Sequence, residues 1–151
     1  MGFEFKIDET SIMSNPMPSN AVLSVLRRGT CIPAQPLALN AQRKMDERRQ
    51  RALTRSYMAA GSGGLAVGVH STQFEIREPQ HALFEPVLRL AMEELKAHEQ
   101  KTGTTKVKVA GVCGNTKQAV AEAQLAIDCG YDAGLLSLAA MKSSSDDELI
   151  E

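Results

Sequence analysis

Gly64-Leu65-Ala66-Val67-Gly68-Val69-His70-Ser71-Thr72-Gln73-Phe74-Glu75 is a short, nearly all-apolar run that stops abruptly at imidazole, hydroxyl and amide side chains. An apolar run of this length, buried on both faces, suits a parallel sheet covered by helices. In such sheets ligands meet the protein just beyond the carboxyl ends of the strands. The stretch therefore indicates the architecture and also where the chemistry sits.

Working outward, strands and helices alternate. Residues 30–39 read as a first strand, shortened at its end by Pro33 and Pro36, which have no N–H for a ladder. A helix over 46–60 carries Asp46 and Glu47 at its positive end and an apolar stripe of Ala52, Leu53, Tyr57 and Ala60. Gly61 stops it before the strand 65–69. The helix 81–99 has Phe84, Val87, Leu88, Ala91 and Leu95 at spacings of three and four. A strand over 107–112 follows. The next helix starts at Asn115 or Thr116, with Asn115 and Gln118 as a capping box and Ala119, Val120, Ala123 and Ile127 as its buried stripe. Gly130 ends it as a left-handed glycine would, and 134–138 is a fourth strand. With no hairpin signal between them, these units predict parallel (β/α) repeats. Residues 1–20, rich in Pro, Asn and Ser near their end, read as a flexible lead-in to one domain over 21–151. Ser145 and Glu148 form a capping-box pair, yet the sequence stops at Glu151 before a helix body. A truncated chain is the expectation: about four strands and three full helices, half of an eight-stranded TIM barrel.

The 151 residues carry 17 basic and 18 acidic side chains, a net charge of −1, which argues against a general nucleic-acid binder. No apolar run approaches the roughly 18 residues of a membrane span. Cys31, Cys113 and Cys129 are odd in number and far apart, so neither a disulfide framework nor a zinc site is indicated. These features predict a cytoplasmic protein with no metal and no cofactor. Arg43, Lys44, Arg48, Arg49, Arg51 and Arg55 lack an aromatic platform and are interrupted by Asp46 and Glu47, so they read as a solvated helix face. Lys106 and Lys108, near a strand start, read as surface lysines.

Two places carry site chemistry. Ser71 and Thr72 are adjacent hydroxyls at a strand end, suited to holding a carboxylate, or else to capping a turn. Gly114-Asn115-Thr116 lies between a strand and a helix start, an arrangement that either binds anions or makes a tight turn. Cys113 has no base assigned to it and reads as a small buried hydrophobe.

The run from Gly29 to Leu138 resembles the first half of the dihydrodipicolinate synthase / N-acetylneuraminate lyase family, which are class I aldolase-type TIM barrels. The family's second strand ends in Gly-Thr-Thr-Gly-Glu, whose hydroxyls bind the carboxylate of a 2-oxo acid. Here Ser71 and Thr72 match the hydroxyl pair, and His70 and Gln73 replace the glycines. Glu75 matches the glutamate with one extra residue allowed, which puts His70 and Glu75 behind the carboxylate. Cys129-Gly130-Tyr131-Asp132-Ala133 before the fourth strand also fits the family. The family's proton-relay tyrosine is replaced by the run Leu138-Ala139-Ala140-Met141-Lys142, and its Schiff-base lysine belongs to a sixth strand that this sequence does not reach. The resemblance therefore implies part of a Schiff-base lyase or synthase for a small 2-oxo acid such as pyruvate, with no catalytic residue in this chain. An open-sheet anion-binding domain and a non-catalytic remnant are the alternatives. Half a barrel leaves sheet edges and an apolar face bare, so a homo-oligomer is expected.

Overall fold

The computed structural model describes residues 17–145 together with 147 and 149. Among them the regular elements are α1 (Asn20–Arg28), α2 (Glu47–Ala59), β1 (Gly64–Val67), α3 (Phe84–Thr102), β2 (Val107–Val112), α4 (Thr116–Cys129) and β3 (Ala133–Leu136). Most of the expected lead-in lies outside the described residues. Its last residues are ordered, because Ser19 caps α1 by accepting the Val22 N–H at 3.3 Å. Of the Ser145–Glu148 signature, residues 146 and 148 are outside the described residues.

Local chemistry explains the other helix ends. Asp46 caps α2 through the Arg49 N–H at 3.0 Å. Asn115 caps α4 through the Gln118 N–H at 3.1 Å, but the Gln118 side chain turns instead to Glu122, so half of the box forms. Gly103 and Gly130 are left-handed, with φ of 68° and 95°, and end α3 and α4.

The strands lie in the order β1-β2-β3, all parallel, with Gly64 beside Val107 and Val109 beside Ala133. On the far side of β1, Ala34 makes a single parallel bridge to Ala66. The expected strand over 30–39 thus shrinks to one bridge, held by Gln35 N–H to Ala66 O and Ala66 N–H to Pro33 O. Its prolines forbid a longer ladder. Sequential order along the sheet is that of a partial TIM-barrel-type fold.

The main core joins Leu65, Val67 and Ala110 of the sheet to Val87, Leu88, Ala91 and Leu95 of α3, with Ala126, Cys129 and Tyr131. Each fully buried Leu or Val there contributes about 1.5–3 kcal/mol. Tyr131 satisfies its buried hydroxyl by donating to Leu88 O at 2.9 Å. On the opposite sheet face, α1 packs Val22 and Val25 against Val107.

Three sequence expectations need correcting. The buried face of α2 is Gln50, Thr54 and Met58, not the predicted apolar stripe. Its polar members satisfy the ladder-poor segment before β1. The buried face of α4 is Glu122, Ala126 and Cys129, while Val120 is 63% exposed. The helix turns that way because Glu122 is drawn inward by a buried arginine, described below. Lys106 and Lys108 are buried, at 7% exposure each. Lys106 Nζ donates to Ser62 O at 2.7 Å, and Lys108 Nζ meets Glu99 at 2.8 Å.

Candidate functional site

The candidate site is built where β1 ends. Gly68, with φ of 75°, turns the chain, and a 3-10 turn over His70–Thr72 follows. Gly111 of β2 lies so close that a Cβ there would collide with the Gly68 carbonyl, which draws the ends of β1 and β2 together.

Thr72 is fully buried. Its hydroxyl donates to Gln35 O at 2.6 Å and accepts the Gly68 N–H at 3.0 Å. A hydroxyl has one proton, so Thr72 as placed has none to give to an anion. The bond continues into a chain of buried groups. Gln35 Nε2 donates to Thr54 Oγ1 at 2.6 Å, and Thr54 donates to Gln50 O at 3.3 Å. Gln50 in turn binds Ala38 N–H at 2.7 Å and Pro36 O at 3.1 Å. The polar face of α2 therefore anchors the segment before β1 and, through it, the turn after β1. Sequence reasoning passed over Gln35, Gln50 and Thr54; their helical spacing of four (Gln50, Thr54) sat beside an apolar stripe that drew attention instead.

Ser71 and His70 remain available. Ser71 Oγ lies 3.3 Å from His70 Nε2, and His70 is exposed. Gln73 has φ of 77° and ψ of 128°, a backbone region natural to glycine, which a non-glycine residue occupies at a cost of about 1–3 kcal/mol. The position is the one where the resembling family carries a glycine. Such strain gathers at ligand-facing turns. Glu75 is exposed and lines a different cavity, with Leu37, Leu39, Arg43 and His81, so it does not stand behind Ser71 as part of one constellation.

Val69, His70, Phe74, Gly111, Leu135, Leu136 and Ser137 enclose a cavity of about 340 Å³ across the carboxyl ends of all three strands. Beneath it sits a buried ion pair. Arg77 Nε meets Glu122 Oε1 at 2.8 Å, Arg77 Nη2 donates to Gly111 O at 3.1 Å, and the guanidinium lies 4.1 Å from the Phe84 ring centre. Glu122 also accepts the Cys113 N–H at 3.1 Å and Gln118 Nε2 at 2.8 Å. This set ties β2, α4 and the segment after β1 together. Cys113 Sγ is 4.0 Å from Glu122, and burial pushes its thiol above the ordinary value, so it is no activated nucleophile.

Gly114, Asn115 and Thr116 form a tight turn with Gly114 at φ of 91°. Asn115 already occupies one N–H of the helix start. Gly114 and Thr116 line an almost wholly apolar cavity of about 370 Å³ with Val120, Leu136, Leu138 and Met141. The buried lysines stand at the opposite end of the sheet from His70 and Ser71, since Lys106 reaches Ser62 before β1 and Lys108 pairs with Leu65 near the start of β1. Arg49, Arg51 and Arg55 are paired with Asp46, Glu47, Glu93 and Glu94 along α2 and α3. Among the described residues, no three His, Cys, Asp or Glu side chains converge as a metal site, and no helix is long and apolar enough to cross a membrane.

The fold is a parallel β/α sheet of partial TIM-barrel type, with the cavity at the carboxyl ends of its strands. The solved structures it is similar to are dihydrodipicolinate synthase family proteins. One is YagE, a prophage protein of that family from E. coli K12 in complex with pyruvate, at 20% identity and a TM-score of 0.56, covering 70% of this chain and 33% of that one. Another is dihydrodipicolinate synthase from Oceanobacillus iheyensis, at 16% identity and a TM-score of 0.57, covering 68% and 32%. A putative dihydrodipicolinate synthetase from Pseudomonas aeruginosa matches at 20% identity and a TM-score of 0.54, covering 70% and 33%. The chain spans about a third of the length of these relatives. No family model and no curated protein matches it. At these identities the likeness establishes the fold.

Proposed function

We propose that this chain is the carboxylate-holding part of a class I aldolase-type lyase or synthase acting on a small 2-oxo acid such as pyruvate. The observation that carries the reading is the His70–Thr72 turn at the carboxyl end of β1, opening on the cavity shared by all three strand ends. Ser71 and His70 face the carboxylate. Thr72, buried and bonded to Gln35 O and Gly68 N, holds them in place and so contributes by positioning. In the full reaction a lysine amine adds to the ketone and water leaves, giving an iminium that accepts electrons from the adjacent carbon–carbon bond. The chemistry calls for no metal and no cofactor. In this reading that lysine lies outside the chain, as the family resemblance implies; Lys106 and Lys108 are committed at the far end of the sheet. Three free thiols fit a reducing compartment such as the cytoplasm.

Titration of the labelled chain with pyruvate tests the reading by NMR. The amides of residues 69–73 should shift, and Ser71→Ala should weaken the response about tenfold. Shifts centred on 114–116 instead would favour the helix-start reading, and no shift at either place would refute both. Borohydride added with pyruvate should leave the mass unchanged; a stable adduct on a lysine would refute the assignment of the nucleophile elsewhere.

A further inference from the structure

The turn after β1 carries an imidazole, the side chain whose ordinary charge change falls between about pH 5 and 8. His70 is exposed, and it is the one side chain titrating in that range among the residues that enclose the cavity at the strand ends; its neighbours there are Val69, Phe74, Gly111, Leu135, Leu136 and Ser137. The charged groups packed below come as a pair. Arg77, from the segment after β1, and Glu122, from α4, meet at 2.8 Å and offset each other. Cys113, just past β2, has its thiol pushed up by burial and stays uncharged in this range. Glu75 lines another cavity. Among the described residues, the wall of the cavity therefore offers a carboxylate no fixed countercharge.

The imidazole also decides where a neighbouring proton points. His70 Nε2 lies 3.3 Å from Ser71 Oγ, and neither side chain has another hydrogen-bond partner among the described residues. Each neutral tautomer leaves one free donor between the two residues. Where Nε2 accepts the Ser71 proton, only Nδ1–H is free; where Nε2 donates to Oγ, only the Ser71 O–H is free. The protonated ring donates from Nε2 to Oγ, leaves both of those donors free and adds a positive charge, which strengthens a bond to a carboxylate.

We propose that His70 sets carboxylate affinity at this turn, the acid binding together with a proton taken up on the His70 ring. The inference rests on the carboxylate reading and deepens it. His70 stands where the resembling family has a glycine, so the coupling belongs to this chain's own sequence. The sign follows from the pair formed. A bound anion favours the charged ring, so affinity is highest on the acid side and falls as pH rises through the imidazole range, while the ligand carboxylate stays ionised throughout.

NMR titration of the full chain with pyruvate at several pH values tests this. The dissociation constant read from the amides of residues 69–73 should rise about tenfold from about pH 5.5 to about pH 8, the worth of one hydrogen bond to a charged group. The midpoint of the His70 ring resonances should move to higher pH when pyruvate is present, with those of His81 and His98 unmoved. His70→Gln, a change at an exposed position, should bind at the high-pH affinity of the parent at every pH. Pyruvate that binds at 69–73 with the same affinity at every pH, or that leaves the His70 midpoint in place, would overturn the coupling and leave the carboxylate reading standing. No response of 69–73 at any pH would refute that reading, and the coupling with it.

Discussion

Replacing Thr72 by valine keeps the shape of the side chain and removes its hydroxyl. Two buried groups then lose their partner at once, the Gly68 N–H at 3.0 Å and the Gln35 carbonyl at 2.6 Å. Each buried group left unsatisfied costs about 1–3 kcal/mol, so Thr72→Val should lower stability by about 2–6 kcal/mol. That is a large share of the ~5–15 kcal/mol of an ordinary domain. For a chain of this size, about 2–4 °C per kcal/mol converts the loss to a fall in Tm of about 4–24 °C. Urea denaturation followed by circular dichroism reads it as a lower midpoint at constant slope. Thr72→Ser retains the hydroxyl and loses only a methyl, about 1 kcal/mol. Ser71→Ala, at a partly exposed position, should stay within about 0.5 kcal/mol of the parent. The reasoning fails if Thr72→Val unfolds at the parent midpoint, or if Thr72→Ser is as costly as Thr72→Val.

Other consequences are equally measurable. Glu122→Gln leaves the Arg77 charge buried without its partner, and should cost about 3–5 kcal/mol in the same denaturation assay; a change below about 1 kcal/mol would show that the pair does not hold the strand ends together. Tyr131, its hydroxyl buried, is raised above its ordinary value of 10.0 chiefly by desolvation. Its contribution is therefore full below pH 10 and declines as pH climbs above that value, by about 1.4 kcal/mol per pH unit; Tyr131→Phe should flatten this alkaline loss. Exposed Cys31 should react with a thiol reagent at pH 8 well before Cys113 and Cys129, whose thiols burial pushes up. Equal rates for Cys31 and Cys113 would contradict the half-buried setting of Cys113.

The elements with strong periodicity were legible. The five α3 residues its three-and-four spacing picks out are all buried, with Leu90 and Met92 besides, and β2 occupies the predicted 107–112. Polar interiors were not. A rule that seeks apolar stripes turned α2 and α4 the wrong way, because Gln50, Thr54 and Glu122 are buried for their hydrogen bonds rather than their hydrophobicity. The lysines were misread for the same reason: Lys106 and Lys108 find carbonyl and carboxylate partners that a linear sequence does not reveal. At the turn after β1, the sequence does not reveal which of two adjacent hydroxyls is buried. Ser71 and Thr72 are neighbours of similar chemistry. Only the fold separates them, by spending the Thr72 hydroxyl on Gln35 O and leaving the Ser71 hydroxyl beside His70 Nε2.

That division bears on how the corner works. A carboxylate is held well only when its donors are fixed before it arrives, since ordering them afterwards costs free energy. His70 and Ser71 sit on a three-residue turn. Their rigidity comes from Thr72, whose bonds reach through Gln35 to Thr54 and Gln50 on α2, and from Gly111, pressed against Gly68. The strained Gln73 closes the turn on its other side. A weak spot anywhere along this chain should therefore loosen the turn without touching its exposed side chains. Thr54→Val, which deprives Gln35 Nε2 of its acceptor far from the cavity, makes the point testable. It should broaden or shift the amide signals of residues 69–73 in the absence of any ligand, whereas Ser71→Ala should leave the backbone of the turn in place.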